Sequence, residues 1–191
     1  GVEYFKVDYN VTMGYGSDLN SDSCSDAIME HYRCLHQWYA DLFRDYPELV
    51  IENCGSGGQR MDYGMLGLLS LQSTSDQTDY RDYSVISANC VAAVTPEQAA
   101  VWSYPLADGD EEEVAYNMVN CLLFRIHQSG HLCILSQARY RLVEEAVRLY
   151  KNTLRKEIPN AFPVWPVGFA KGDDRFITFG LKVNGKIYLA V

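Results

Sequence analysis

Short apolar runs alternate with amphipathic helical stretches through the first 158 residues, and each run opens onto a polar, turn-forming segment. "VEYFKV" has the apolar and aromatic content of a strand, and the Gly-, Ser- and Asp-rich loop "GYGSDLNSDSCSD" follows it. "AIMEHYRCLHQWYADLFRDY" then places Ile28, Tyr32, Leu35, Trp38, Tyr39 and Leu42 on one helical face, and Pro47 stops it. "LVIENC" is a second strand, and "GSGG" a turn that lets backbone come close to a neighbour. "MDYGMLGLL" begins a helix, and "LSLQSTSD" is a third strand. Such alternation requires crossover connections, so it predicts a parallel α/β fold.

"TDYRDYSVISANCVAAV" is expected to be helix and then strand, with Thr78 as N-cap. "GDEEEVAYNMVNCLLFRIHQSG" reads as one helix, with acids at its start and Gly130 near its end. "HLCILS" is expected as a strand. "QARYRLVEEAVRLYKNTLRKEI" is expected as a long helix burying Leu142, Val143, Ala146, Leu149 and Tyr150. After Pro159, Pro163 and Pro166 the character changes to a hairpin pattern around Asn184-Gly185. This places a domain boundary at 158/159, with residues 159–191 opening an antiparallel β domain.

With 191 residues, 48% of them hydrophobic, the chain can bury one sizeable core. Its net charge of -9 and the lack of a basic cluster argue against nucleic acid as a partner. No stretch is long and apolar enough to cross a membrane. The six cysteines lack zinc spacing, and most lie in apolar periodic segments, which favours reduced thiols and a cytoplasmic setting. The chain opens and closes directly in strand patterns, so it is expected to be a piece of a longer protein.

Three segments stand at the C-terminal ends of predicted strands: "KVDYN", "ENCGSGGQRMD" and "STSDQTD". In parallel α/β folds ligands bind at that edge. A single Asp after a strand is more often a turn or cap residue. Three polar segments in succession are harder to assign to turns alone.

These segments resemble the successive motifs of the α-galactosidases of glycoside hydrolase family 36. "HQSGHLCILSQARYRLVEEAVRLYK" is similar to that family's last barrel strand and helix, and "FPVWPVGFAK…GKIYLAV" to its passage into a C-terminal β-sandwich. The resemblance implies the second half of a (β/α)8 TIM barrel, about strands 4 to 8, over residues 1–158. It implies a retaining mechanism in which Asp8 is the nucleophile and Asp76 the general acid/base. Lys6, Asn10, Cys54 and Gly57 match positions that meet the sugar in the family. No metal or organic cofactor is implied. The implied partners are α-galactoside oligosaccharides, and a homo-oligomeric full-length protein is compatible with the resemblance.

The match has departures. Val7 stands where a tryptophan is usual, Val11 where an arginine commonly follows the asparagine, and Gln59 at the third glycine of the glycine run. The first barrel half, which supplies further sugar-binding residues in the family, has no counterpart in the chain. An isolated half barrel would expose a sheet edge, so weak or absent activity is expected of these 191 residues alone. Related readings are an α-galactosyl transferase and a catalytically silent sugar-binding protein; both candidate carboxylates are present, which argues against the latter.

Other signals have plainer readings. "DLNSDSCSDAIME" lacks the glycine and glutamate that a calcium loop needs, and is expected to be a surface loop ending in a helix cap. "DGDEEE" is expected to be a solvated helix start. His127 and His131 are four residues apart, but Gly130 between them disfavours a metal-binding helix.

Overall fold

The computed structural model describes residues 1–12 and 14–191. The chain forms two compact units, Gly1–Gln72 and Ser73–Val191. Among the described residues no helix is long and apolar enough to cross a membrane.

The first unit is built on parallel strands β1 (Tyr4–Asp8), β2 (Val50–Cys54) and the start of β3 (Leu71–Ser73). β1 pairs with β2 from Tyr4↔Val50 to Asp8↔Cys54, and β2 pairs with β3 through Glu52↔Leu71 and Asn53↔Gln72. Helix α1 (Cys24–Asp45) makes the crossover from β1 to β2, and α2 (Tyr63–Leu66) lies between β2 and β3. The Ser23 side chain caps α1 by accepting from Asp26 N, as the loop-into-cap reading expects.

The α1 face sets the core of this unit. Tyr39, Ile51, Met65 and Leu69 are buried together, with Val7, Leu35, Leu42 and Phe43 packed against them. Trp38 departs from the expected stripe. It is 52% exposed and lies against Tyr39, with ring centroids 4.9 Å apart. One residue is about 100° of helix, so with Tyr39 pointing inward its neighbour turns toward solvent.

The second unit continues with α3 (Tyr80–Cys90), β4 (Ala99–Ser103), α4 (Glu111–Cys121), β5 (Arg125–Gln128) and α5 (Gln137–Leu149). β4 and β5 are parallel, paired from Ala100↔Arg125 to Ser103↔Gln128. Ala99, Ala100 and Val101 are fully buried, as a parallel strand covered by helices demands.

Several expectations need correction here. The cap of α3 is Asp79, whose carboxylate accepts from both Arg81 N and Asp82 N, while Thr78 N bonds to Gln77 Oε1. A carboxylate one residue later reaches two free helix N–H groups at once. "ANCVAAV" is not a strand. The helix runs through Cys90 and unwinds in a turn with Ala92 N→Asn89 O and Ala93 N→Cys90 O, and the strand starts only at Ala99. The helix expected to reach Gly130 stops at Cys121, because "RIHQ" pairs with β4 as β5. Tertiary pairing overrides local propensity there. "HLCILS" holds a short 3₁₀ turn, Leu132–Ile134. Its entry is fixed by Gly130 at φ +74° and by His131 N donating to Pro105 O.

The last long helix also differs. After α5 a π-helical turn spans Tyr150–Leu154. Leu149, the last residue of the regular helix, lies about 100° around it from Tyr150 and is exposed, while Tyr150, Leu154 and Ile158 are buried.

β6 (Phe162–Val164), β7 (Phe179–Val183) and β8 (Lys186–Ala190) form an antiparallel sheet in the order β6-β7-β8. Asn184 and Gly185 both have positive φ, the backbone of a two-residue hairpin turn, as the Asn-Gly pair predicts. Phe179, Leu181 and Val183 turn inward, and Phe179 stacks on Phe124 at 5.0 Å. Trp165 Nε1 donates to Ala88 O, which ties this sheet to the end of α3.

Candidate active site

Parallel register brings the ends of β1 and β2 to the same level. Asp8 is the last residue of β1 and stands opposite Cys54, the last residue of β2. Tyr9 N donates to Cys54 O at 3.1 Å, which carries the pairing one step past the strand. Beyond it the Gly55–Gly58 turn doubles back over the end of β1. Ser56 N donates to Asn10 Oδ1 at 2.6 Å and lies 3.4 Å from Asp8 Oδ1. The turn achieves this with Ser56 at φ +43° and Gly57 at φ +80°. A positive φ at serine is uncommon outside functional or tightly constrained sites.

Gly55 is needed for a different reason. A Cβ there would meet Tyr9 O at 3.1 Å and the Arg60 side chain at 3.2 Å, so a side chain would press the turn away from β1. Arg60 locks the arrangement. Its Nε donates to Tyr9 O and its Nη2 to Val11 O, each at 2.9 Å, and its guanidinium lies 4.0 Å from the centre of the Tyr9 ring. Asn53 supports the turn from beneath, donating to Arg60 O at 2.9 Å and to Gln72 Oε1 at 2.7 Å.

Side chains alternate along a strand, so Tyr4, Lys6 and Asp8 share one face, and Glu52 and Cys54 lie on the same side of β2. Lys6 Nζ is 3.4 Å from Glu52 Oε1, and the Tyr4 hydroxyl donates to Glu52 Oε2. Asp8 and Asn10 are exposed, whereas Cys54 and Gly57 are buried. Four of the six candidate residues (Asp8, Asn10, Cys54 and Gly57) therefore meet at the β1–β2 strand ends, with Lys6 two residues below on the same face.

Asp76 belongs to the second unit, in the segment between β3 and α3, and is exposed. Its segment is held by its own side chains. Ser75 Oγ accepts from Gln77 N, and Gln77 Oε1 accepts from Thr78 N and Asp79 N. At its base, Thr74 Oγ1 donates to Ala100 O at 2.9 Å and is bonded to the Tyr83 hydroxyl at 2.8 Å. Burial pushes the Tyr83 phenol up to about 12, so it remains a neutral anchor.

Glu52, Arg60 and the Thr74–Tyr83 anchor are the residues that motif reading passes over. Glu52 had a visible signal: an acid inside an apolar strand run is rare unless it is paired. The "DGDEEE" segment also needs correction at one position. Asp110 caps α4, but Glu113 is buried and paired with Arg139 at 3.0 Å instead of facing water. Among the described residues no cluster of His, Cys, Asp and Glu could hold a metal ion.

Known structures share this arrangement of parallel strands. The chain is 33% identical over 87 residues to alpha-galactosidase 2 of Pediococcus pentosaceus, an alignment covering 44% of this chain and 12% of that protein. The alpha-galactosidase from Lactobacillus brevis superposes with a TM-score of 0.81 at 20% identity, over 96% of this chain and 25% of that one. A variant of the GH36 alpha-galactosidase AgaA from Geobacillus stearothermophilus, solved in complex with raffinose, gives 0.77 at 14%, over 96% of this chain and 26% of that one. The chain thus spans an eighth of the curated relative and a quarter of the solved ones, and shares with the latter their α/β fold and parallel sheet. The melibiase family model matches residues 1–99, more than half of the sequence and all of the segment carrying Asp8, the glycine turn and Asp76: the chain belongs to the melibiase family.

Proposed function

We propose that this chain supplies the second half of a (β/α)8 catalytic barrel, residues 1–158, and the first strands of a β-sandwich, residues 159–191. In the full-length protein it acts as a retaining α-galactosidase on terminal α-galactosyl groups of oligosaccharides. The observation that carries this reading is the Lys-x-Asp-x-Asn segment at the end of β1, held against a strained glycine turn whose Ser56 N–H faces Asp8 and Asn10. An exposed carboxylate with a lysine on its own strand and a backbone N–H from the neighbouring turn supports the nucleophile half of such a site.

The chemistry proceeds in two displacements. An Asp8 oxygen attacks the anomeric carbon while the bond to the leaving oxygen breaks, and Asp76 gives that oxygen its proton. A galactosyl ester on Asp8 results. Asp76, now a carboxylate, takes a proton from water as the water attacks the same carbon and releases Asp8, so configuration is retained. Lys6 and Asn10 bind sugar hydroxyls, and Cys54 and Gly57 form the floor beside them. No cofactor enters these steps. The 191-residue chain alone is weak or inactive, because it spans only a quarter of the length of the solved relatives. The cysteine pattern supports a cytoplasmic setting with free thiols, and the acidic surface supports neither nucleic acid nor membrane as a partner.

The test is hydrolysis of an aryl α-galactoside by the full-length protein and its Asp8→Ala and Asp76→Ala variants. Asp8→Ala abolishes turnover. Asp76→Ala lowers it by about 10²–10⁴-fold, with less loss on substrates whose leaving group needs no proton. Undiminished activity in Asp8→Ala rejects the assignment.

A further inference from the structure

Glu52 takes no part in the chemistry above, yet it is among the most enclosed polar groups of the first unit, at 1% exposure. A buried carboxylate is costly unless it is paired, and an aliphatic residue would fill a strand position more cheaply. Its two oxygens are divided between two residues of β1: the Tyr4 hydroxyl on Oε2 and the Lys6 ammonium 3.4 Å from Oε1. Lys6 stands directly opposite Glu52 in the strand register. The pair is asymmetric. The Lys6 side chain is 33% exposed while that of Glu52 is 1% exposed, so the anion is fixed by the protein and the cation reaches toward the open face.

We infer that Glu52 is a positioning residue: it holds the Lys6 ammonium at a fixed place beside Asp8, ready for a sugar hydroxyl, and Tyr4 holds Glu52. The inference rests on the reading of Lys6 as a sugar contact. A lysine side chain carries considerable rotamer freedom, and a buried tether spends that entropy during folding, before the substrate arrives. Glu52 therefore acts on substrate binding, through Lys6, and not on the bond-breaking step.

The test is a double-mutant cycle in the full-length protein, with KM and kcat for an aryl α-galactoside read alongside the melting temperature. Glu52→Gln keeps the shape and a partner for Tyr4 but removes the charge. It raises KM by about 10-fold, the equivalent of one charge-assisted hydrogen bond, and leaves kcat within about 3-fold. In a Lys6→Ala background the same change adds nothing, because the residue it acts through is gone. Tyr4→Phe raises KM by about 2- to 3-fold in the parent and not at all without Lys6, and it decides the question should Glu52→Gln fold poorly. Unchanged KM in the single variants, or losses that multiply with Lys6→Ala, overturns the inference while leaving the hydrolase reading intact. Failure of the parent protein to hydrolyse any α-galactoside overturns both.

Discussion

Each of the two units buries one glutamate against a basic partner, and the two pairs are built for different purposes. Glu113 and Arg139 are both 7% exposed at their side chains, and the surrounding loop is satisfied by them. Arg139 also donates to Ala107 O and Leu106 O, Leu106 N donates to Glu113 Oε1, and Asn117 Nδ2 donates to that same oxygen. Every direction is turned inward, so the pair closes the loop after β4 onto α4 and α5. Glu52 is as deeply buried, but its cation is one-third exposed on the face that carries Asp8. A closed pair fixes a loop. An open one presents a charge.

The difference gives the pairs opposite sensitivities. Glu113→Ala leaves Arg139 buried without its counter-charge and is expected to destabilise the protein by about 3–5 kcal/mol, read as a fall in thermal midpoint. Glu52→Gln is expected to cost about 1 kcal/mol, since solvent already screens Lys6, although it raises KM. Equal losses of stability in the two variants would erase the distinction.

Gly130→Ala sharpens the case for a closed loop. At φ +74°, the added Cβ would lie 2.5 Å from Pro105 O, a backbone atom fixed by the bond from His131 N. The expected loss is about 1–3 kcal/mol, checked by chemical denaturation. Thr74→Val should cost about 1–2 kcal/mol, because it leaves the Ala100 carbonyl and the Tyr83 hydroxyl short of a partner under Asp76.

The smallest effect concerns thiols. Cys24, Cys34 and Cys133 are exposed, while Cys54 and Cys121 are buried. Burial pushes the Cys90 thiol up to about 12 and the Cys121 thiol higher still. At pH 8 a thiol reagent should label Cys24, Cys34 and Cys133 first, as read by peptide mass spectrometry, with the half-buried Cys90 slower and Cys54 and Cys121 following only on unfolding. Early labelling of Cys121 would contradict the packing of α4.

Much of the first unit was legible because its signals are local. The runs ending at Asp8 and Cys54 are apolar strands closed by polar turns, and Ser23 sits one residue before an amphipathic helix. β5 was not legible: four residues carry little pattern, and only pairing with β4 makes them a strand. The Tyr150 π turn was equally hidden, since its residues read as ordinary helix. At the site, motif order pointed to Asp8, Asn10 and the glycine turn. Their common position needed the parallel register, and so did the link between Lys6 and Glu52, which lie on different strands and meet only when those strands pair.

The central claim is that Asp8 forms the bond to the sugar. The direct measurement is rescue of the full-length Asp8→Ala variant by azide on an activated aryl α-galactoside, with the product's anomeric configuration read by NMR. The account predicts restored turnover and a β-galactosyl azide, formed by a small anion entering the space the carboxylate leaves. An Asp8→Ala variant that hydrolyses as well as the parent, or that gives only α-configured azide, would contradict it.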